Sequence, residues 1–239
     1  MLPFRRRVVD EIMDGPDVAP SDHARALAGL RRINAVSNAA AQMAQPIIRL
    51  AHQQKLTHLT MLDIACGGGD VPVAIAKAAA QAGVAIQLTL LDRSETALKL
   101  ARETAHTAGI AADTIQANLL ENWNLPTFDI VTCSLFLHHI PEPAGVIDLL
   151  ARMRAIARRL VVISDLRRCR TGLLAAWIGG HIFSRSPIVH FDAPASVRAA
   201  WTRGELTDFS AHADMKAAKI ERCWPWRMLL TYHAAGNVE

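Results

Sequence analysis

The feature that most constrains this chain is an apolar run, Thr60 to Ala65, that breaks at Cys66-Gly67-Gly68-Gly69 and resumes as a helix-patterned stretch from Asp70 to Ala82. A strand that ends in glycines and turns at once into a helix opens a βαβ unit, because glycine supplies the backbone angles such a turn needs. Pro72 fits that reading, since proline is tolerated in the first helical turn. The rhythm then repeats. Gly83 stops the helix, Ala85 to Leu91 is a second strand ending at Asp92, Ser94 caps a further helix and Gly109 closes it. Thr114 to Ala117 and Asp129 to Ser134 read as the next strands. Pro143 to Arg158 places Val146, Leu149, Leu150, Met153 and Ile156 on one helical face, and Arg159 to Ser164 is a fifth strand ending at Asp165. Strands alternating with helices imply right-handed crossovers and a mostly parallel sheet, an α/β doubly wound fold. Such sheets bind ligands beyond the carboxyl ends of their strands, where the strand order reverses.

The flanks are less regular. Gly15-Pro16 and Ala19-Pro20 mark a loop, Ser21 can cap a helix to about Arg32, and Ala35 to His52 is a helical stretch interrupted by Pro46. Residues 1–55 are therefore read as an N-terminal helical extension and 56–239 as the main domain. Residues 167–195 are arginine-rich, then apolar, and contain Ser186-Pro187 and Ala193-Pro194. They read as a lid-like helical insertion over the active face, with Leu173, Leu174, Trp177, Ile178, Ile182 and Phe183 as apolar lining. Thr202 and Glu205 have capping-box spacing and should open a late helix. Lys219 to Cys223 and Met228 to His233 are expected as final strands.

Composition narrows the function. The net charge of +4 is scattered between Arg5, Arg6 and Arg7 and Arg167, Arg168 and Arg170, too little to expect a nucleic-acid partner. None of the four cysteines, Cys66, Cys133, Cys169 and Cys223, forms a Cys-x-x-Cys pair, which argues against a zinc site and fits a reducing cytoplasm. The start lacks the apolar core of a signal peptide, and the apolar stretch Gly172 to Phe183 is too short to span a bilayer. With its nearby arginines, that stretch can at most rest on a membrane surface.

The glycine loop chooses between cofactors. A dinucleotide loop needs a third glycine inside the helix, and Pro72 stands there, which disfavours a nicotinamide-dependent oxidoreductase. The stretch Leu62-Asp63-Ile64-Ala65-Cys66-Gly67-Gly68-Gly69 instead resembles the first motif of the Rossmann-like, class I S-adenosylmethionine-dependent methyltransferases. Phe128 to Pro141, an apolar strand followed by Leu137-His138-His139, resembles the fourth-strand motif of the ubiquinone-biosynthesis-type small-molecule methyltransferases. The resemblance covers about residues 60 to 166 and implies a seven-stranded sheet. It implies that Asp63 takes the cofactor's amino group and that Ala65, Gly67 and Gly69 give close backbone approach, although the family usually has glycine at Ala65. Asp92, 23 residues beyond Gly69, is expected to accept from the ribose hydroxyls, with Arg93 along the adenosine. Asn118, where the family often has an acid, and Leu119 are expected near the adenine, and Ser134 at the cofactor's edge.

Methyl transfer to oxygen requires alignment and removal of a proton, a task suited to histidine. By the same resemblance His138 is the base and Asp165, 27 residues on, orients it. His190 and Asp192 form a second acid–base candidate. The Asn/Asp-Pro-Pro-aromatic motif of nucleobase methylation is replaced by Ser134-Leu135-Phe136-Leu137, and no Pro-Cys dipeptide is present for cytosine methylation. Where metal-dependent catechol enzymes carry an acid after the fourth strand and an Asp-Asn pair after the fifth, this chain has Ser134 and Asp165-Leu166, so no metal is expected. The remaining expectation is O-methylation of a phenolic or polyketide-like small molecule. The alternatives are C-methylation of a quinone precursor and a non-catalytic cofactor-binding module. Nothing in the sequence fixes the oligomeric state.

Overall fold

A computed structural model describes residues 4–9, 11–15, 19, 21–22, 25–26, 29, 32–33, 38–118, 121 and 124–234. The sheet comprises β1 (His58–Ile64), β2 (Ala85–Asp92), β3 (Ala112–Gln116), β4 (Phe128–Ser134), β5 (Ala157–Leu166), β6 (Lys219–Cys223) and β7 (Arg227–His233). Their order is β3-β2-β1-β4-β5-β7-β6. β1 to β5 pair in parallel, and β7 is antiparallel to both β5 and β6. The expected mostly parallel, seven-stranded doubly wound sheet is therefore present, and its order reverses between β1 and β4.

Helices cover both faces: α1 (Ala39–Gln53), α2 (Asp70–Gln81), α3 (Glu95–Thr107), α4 (Pro143–Ile156), α5 (Arg170–Phe183), α6 (Pro187–Ala199) and α7 (Arg203–His212). Burial on both faces explains why the central strands read as continuous apolar runs. Successive residues of each strand enter opposite cores, as the two-residue period requires. Met61, Ile130, Leu160 and Val162 pack with Met43, Ile47, Ile75 and Leu98 of α1, α2 and α3. Leu62, Val131, Val161 and Ile163 pack with Val146, Leu150, Met153 and Phe209 of α4 and α7. α1 thus belongs to the main core, and Pro46 sits inside it without ending it because buried Met43, Ala44, Ile47 and Leu50 pin both of its halves.

Local signals operate as read. Ser94 Oγ accepts from Ala97 N at 3.3 Å. Thr202 and Glu205 form a reciprocal capping box on α7. The 167–195 region is helical and holds α5 and the start of α6, separated at Ser184, with Pro187 in the first turn of α6 and Pro194 inside it. One reading needs correction. Leu174, Trp177, Ile178 and Ile182 of α5 face solvent rather than closing over a cavity. Of the helix expected from Ser21, residues 21–22, 25–26, 29 and 32–33 are helical and the others lie outside the described residues. Cys66 and Cys133 are buried, as expected of thiols beside central strands. No described helix is long and apolar enough to cross a membrane.

Candidate active site

The carboxyl ends of β1 and β4 meet at the reversal point, and both turn through strained backbone. Ala65, just after β1, has φ +54°, and so does Leu135, just after β4. Left-handed angles on residues with a Cβ cost free energy and persist where the surrounding fold imposes them, typically at functional sites. Gly67 (φ +53°) and Gly69 (φ +75°) continue the turn. The two glycines differ in their surroundings. A Cβ on Gly69 would lie 3.0 Å from Cα and Cβ of Ala101 on α3, so Gly69 is where the loop packs on its own protein. A Cβ on Gly67 would meet nothing within 4 Å among the described residues, so Gly67 bounds open space there.

Two carboxylates flank that loop. Asp92 closes β2 and holds the loop through its oxygens, accepting from Gly67 N and Ser94 N at 2.9 Å each. Asp63 on β1 is fully buried. Its Oδ1 accepts from Thr132 Oγ1 at 2.5 Å, while its Oδ2 has no hydrogen-bond partner among the described residues. Burial, with smaller contributions from Asp70 and Asp92, outweighs the Thr132 bond and pushes the Asp63 carboxyl up to about 7. A buried carboxylate oxygen without a donor is costly and fits a cationic ligand group placed against it. Beyond Asp92 a crevice of about 660 Å³ is lined by Arg93, Ser94, Gln116, Ala117, Asn118 and Glu121. Asn118 donates from Nδ2 to Glu121 Oε1 at 2.9 Å, leaving the side chain oriented by a neighbour within this crevice. Leu119 lies outside the described residues. Ser134 ends β4 in register with Ser164 of β5.

The second half of the site follows β4. Leu135 turns the chain into a short 3-10 turn, Leu137–His139, which tucks His138 inward. His138 Nδ1 lies 2.7 Å from Asp165 Oδ1, and the same carboxylate accepts from His138 N at 3.1 Å and Leu166 N at 2.6 Å. Both side chains are buried. Burial opposes charge on the His138 ring, but Asp165 and then Glu11 outweigh it, with Arg227 opposing them, so the imidazole is held above its ordinary value. Burial likewise opposes charge on Asp165, and His138 with the backbone N–H of Leu166 holds it below the usual carboxylate range. Arg227, buried at the start of β7, is pushed down to about 10 by that burial.

The other acid–base candidate does not form. His190 Nε2 contacts Ser184 O at 2.9 Å and its ring stacks on His181. Asp192 instead accepts from the backbone N–H groups of Ile12 and Met13 at 2.8 and 3.0 Å. It is a clasp for the N-terminal segment. That segment supplies two residues absent from the sequence-based site. Arg6 lies 3.5 Å above the Trp201 ring and donates to the carbonyls of Ala199 and Ile140 at 2.6 and 2.8 Å. Glu11 reaches His138, with Oε1 3.7 Å from Nε2. Neither residue carries a local signal, since both act on positions more than a hundred residues away. Among the described residues, Glu11, His138 and His139 bring carboxylate and ring nitrogen atoms within 4.8 Å of one another. In this cluster His138 Nδ1 contacts Asp165 and Ser196 Oγ donates to Glu11.

Comparison with known proteins places this geometry. A family model described as a methyltransferase domain matches residues 61–160. A ubiquinone biosynthesis O-methyltransferase of Burkholderia ambifaria is 30% identical over 179 residues, covering 74% of this chain and 69% of the relative. One from Xylella fastidiosa is 30% identical over 194 residues, covering 75% and 72%. The structure of the plantazolicin methyltransferase BpumL in complex with SAH shares the fold at a TM-score of 0.66 and 16% identity, over 90% of this chain and 91% of that one. With S-adenosylmethionine as cofactor, the chain belongs to the class I S-adenosylmethionine-dependent methyltransferases.

Proposed function

We propose that this enzyme methylates a hydroxyl of a small apolar or aromatic molecule, with His138 as general base and Asp165 as its orienting partner. The observation that carries the reading is the 2.7 Å contact between His138 Nδ1 and Asp165 Oδ1 at the end of β4. Asp165 fixes the tautomer with the proton on Nδ1, which leaves Nε2 to accept a proton. Its charge stabilises the imidazolium that results, and burial keeps water from competing for the base. The names of the relatives, ubiquinone biosynthesis O-methyltransferases, favour oxygen over carbon as the methylated atom.

When bound, the cofactor supplies a methyl group already activated on a sulfonium. The chain would hold it with Asp63 against the amino group, the Ala65–Gly69 turn beneath the methionine portion, Asp92 at the ribose, and Arg93, Asn118 and Leu119 along the adenosine, with Ser134 at the edge facing β4. The open space above Gly67 and the donorless Oδ2 of Asp63 both fit that placement. Alignment of the acceptor hydroxyl is then the main contribution of the protein, and well-oriented reactants account for about 7–11 kcal/mol of a barrier. The apolar face of α5, with Leu174, Trp177, Ile178 and Ile182 exposed, offers a peripheral contact to a lipid surface.

Two measurements test the reading. Calorimetric titration with S-adenosylmethionine, S-adenosylhomocysteine and NADH should show binding of the two adenosyl ligands only, lost in Asp92→Ala. A panel of phenols should then yield products whose new methyl is cleaved as an ether, with turnover reduced about 10²–10⁴-fold in His138→Asn at unchanged cofactor affinity. A new methyl that resists ether cleavage would move the assignment to carbon methylation, and full activity in His138→Asn would remove the base.

A further inference from the structure

Resting on the reading of His138 as the base, we propose that Glu11 is a positioning residue of the same site, whose carboxylate lies across the ring from Asp165 and stabilises the imidazolium formed when Nε2 takes the acceptor's proton. Asp165 occupies Nδ1, so only Nε2 remains for the acceptor. Glu11 Oε1 stands 3.7 Å from that nitrogen, too far for a hydrogen bond and close enough for strong charge coupling between groups whose side chains are 4% and 10% exposed.

The placement of Glu11 is fixed from three sides. Ser196 Oγ donates to its Oε1. The next two residues, Ile12 and Met13, are clasped by Asp192 on α6. Upstream, Arg6 stacks on Trp201 and donates to Ile140 O at 2.8 Å and His138 O at 3.3 Å, tying the segment to the turn that carries the base. Trp201 closes the link by donating from Nε1 to Leu137 O at 2.9 Å. The Ser196 bond holds the carboxylate itself and the other contacts hold the chain on either side of it, so Glu11 is fixed beside a buried imidazole.

The groups facing His138 are Asp165 from β5, Glu11 from the N-terminal segment, the adjoining His139 ring with its centroid 4.4 Å away, and Arg227 from β7. The guanidinium of Arg6 reaches the backbone of the same turn. When the acceptor's O–H bond breaks, its electron pair stays on oxygen to form the new bond and its proton goes to Nε2. Glu11 stabilises the proton where it lands, beside the ring and opposite Asp165. The consequence is that Glu11 sets the pH at which the base becomes available, since a carboxylate near Nε2 favours the charged ring before the acceptor arrives.

The test is an NMR titration of the His138 ring in the full chain, with His138→Asn identifying the resonance. In Glu11→Gln the midpoint should fall by about one pH unit. In Glu11→Asp, which keeps the charge and shortens the side chain, it should lie between the two, and a fold retained in that variant guards against loss of structure in the other. The acid limb of the pH profile for methylation of a soluble phenol should move down with the midpoint. A midpoint unchanged in both Glu11 variants, while Asp165→Asn moves it, overturns the proposal. Full activity in His138→Asn would instead overturn the base itself, and the ring titration would still report whether Glu11 is coupled to it.

Discussion

Replacing Asp63 by asparagine isolates the cost of keeping a charge in the floor of the cofactor site. Burial raises the Asp63 carboxyl from 3.8 to about 7, a shift of about three units. At about 1.4 kcal/mol per unit, this is at most about 4 kcal/mol of differential stability. The folded state holds the proton more tightly than the unfolded state. The contribution is therefore fully present below about pH 4 and is lost as pH rises to about 7. The asparagine of the Asp63→Asn variant does not titrate and still accepts from Thr132 through its side-chain oxygen. Its amide nitrogen lands where Oδ2 has no partner, a constant penalty of about 1–3 kcal/mol that does not change with pH. Urea unfolding of both proteins without cofactor, from pH 4 to pH 8, should therefore give a stability difference that moves toward the variant by up to about 4 kcal/mol. His138, Asp165 and the other titrating groups are common to both chains and cancel. The same variant should lose the thermal stabilisation that S-adenosylmethionine gives the wild type, because an amide replaces the carboxylate for an ammonium group. Stability curves that stay parallel across the pH range would refute the claim that burial holds Asp63 near neutrality.

The turn itself gives further expectations, all read by thermal unfolding. Gly67→Ala should cost only the left-handed strain, about 1–2 kcal/mol, and should weaken cofactor binding, because its methyl enters open space. Gly69→Ala should cost more, by about 1–3 kcal/mol, because its methyl meets Ala101 at 3.0 Å and α3 must shift. Equal losses at the two positions would show that the loop does not pack on α3 as described. Ala65→Gly should stabilise by at most about 1 kcal/mol, the relief of a left-handed alanine less the entropy glycine adds to the unfolded chain. A destabilised Ala65→Gly variant would mean that the alanine methyl contributes packing that outweighs its strain.

The legible part of this protein is the part whose chemistry is local. The glycine turn, the serine and threonine caps and the apolar runs of β1, β2, β4 and β5 follow from residues within a few positions of one another, so the parallel sheet and the ends of its strands are readable directly. The pairing of His138 with Asp165 rests on family resemblance in the sequence, and the structure brings the two side chains to 2.7 Å. Elements whose stability is tertiary are harder. β3 (Ala112–Gln116) lies at the sheet edge with no fully buried residue, so its sequence carries a weak pattern and it starts ahead of the expected Thr114. α6 runs past the expected insertion boundary at 195 and contains Pro194, which argues against a helix interior, yet Val189, Ala195, Val197 and Ala199 are buried and hold it.

The N-terminal segment shows why the remainder of the site is hidden from sequence. Arg6 stands among three consecutive arginines and reads as solvated charge, while in the fold its guanidinium covers Trp201 and reaches the turn carrying His138. Asp192 reads as a partner for His190, but its carboxylate is taken by backbone N–H groups of residues 12 and 13. Each of these roles is set by chain reversal over more than a hundred residues, which no window of sequence contains. The class I sheet is thus used twice. Its loops after β1 and β2 bring the glycine turn and Asp92 together within one stretch of chain, and its loops after β4 and β5 form a surface on which a distant segment is clamped. That segment brings a carboxylate to 3.7 Å from the outer nitrogen of His138, so the part of the sequence with the least pattern contributes, after Asp165, to holding the charge of a ring buried at the end of β4.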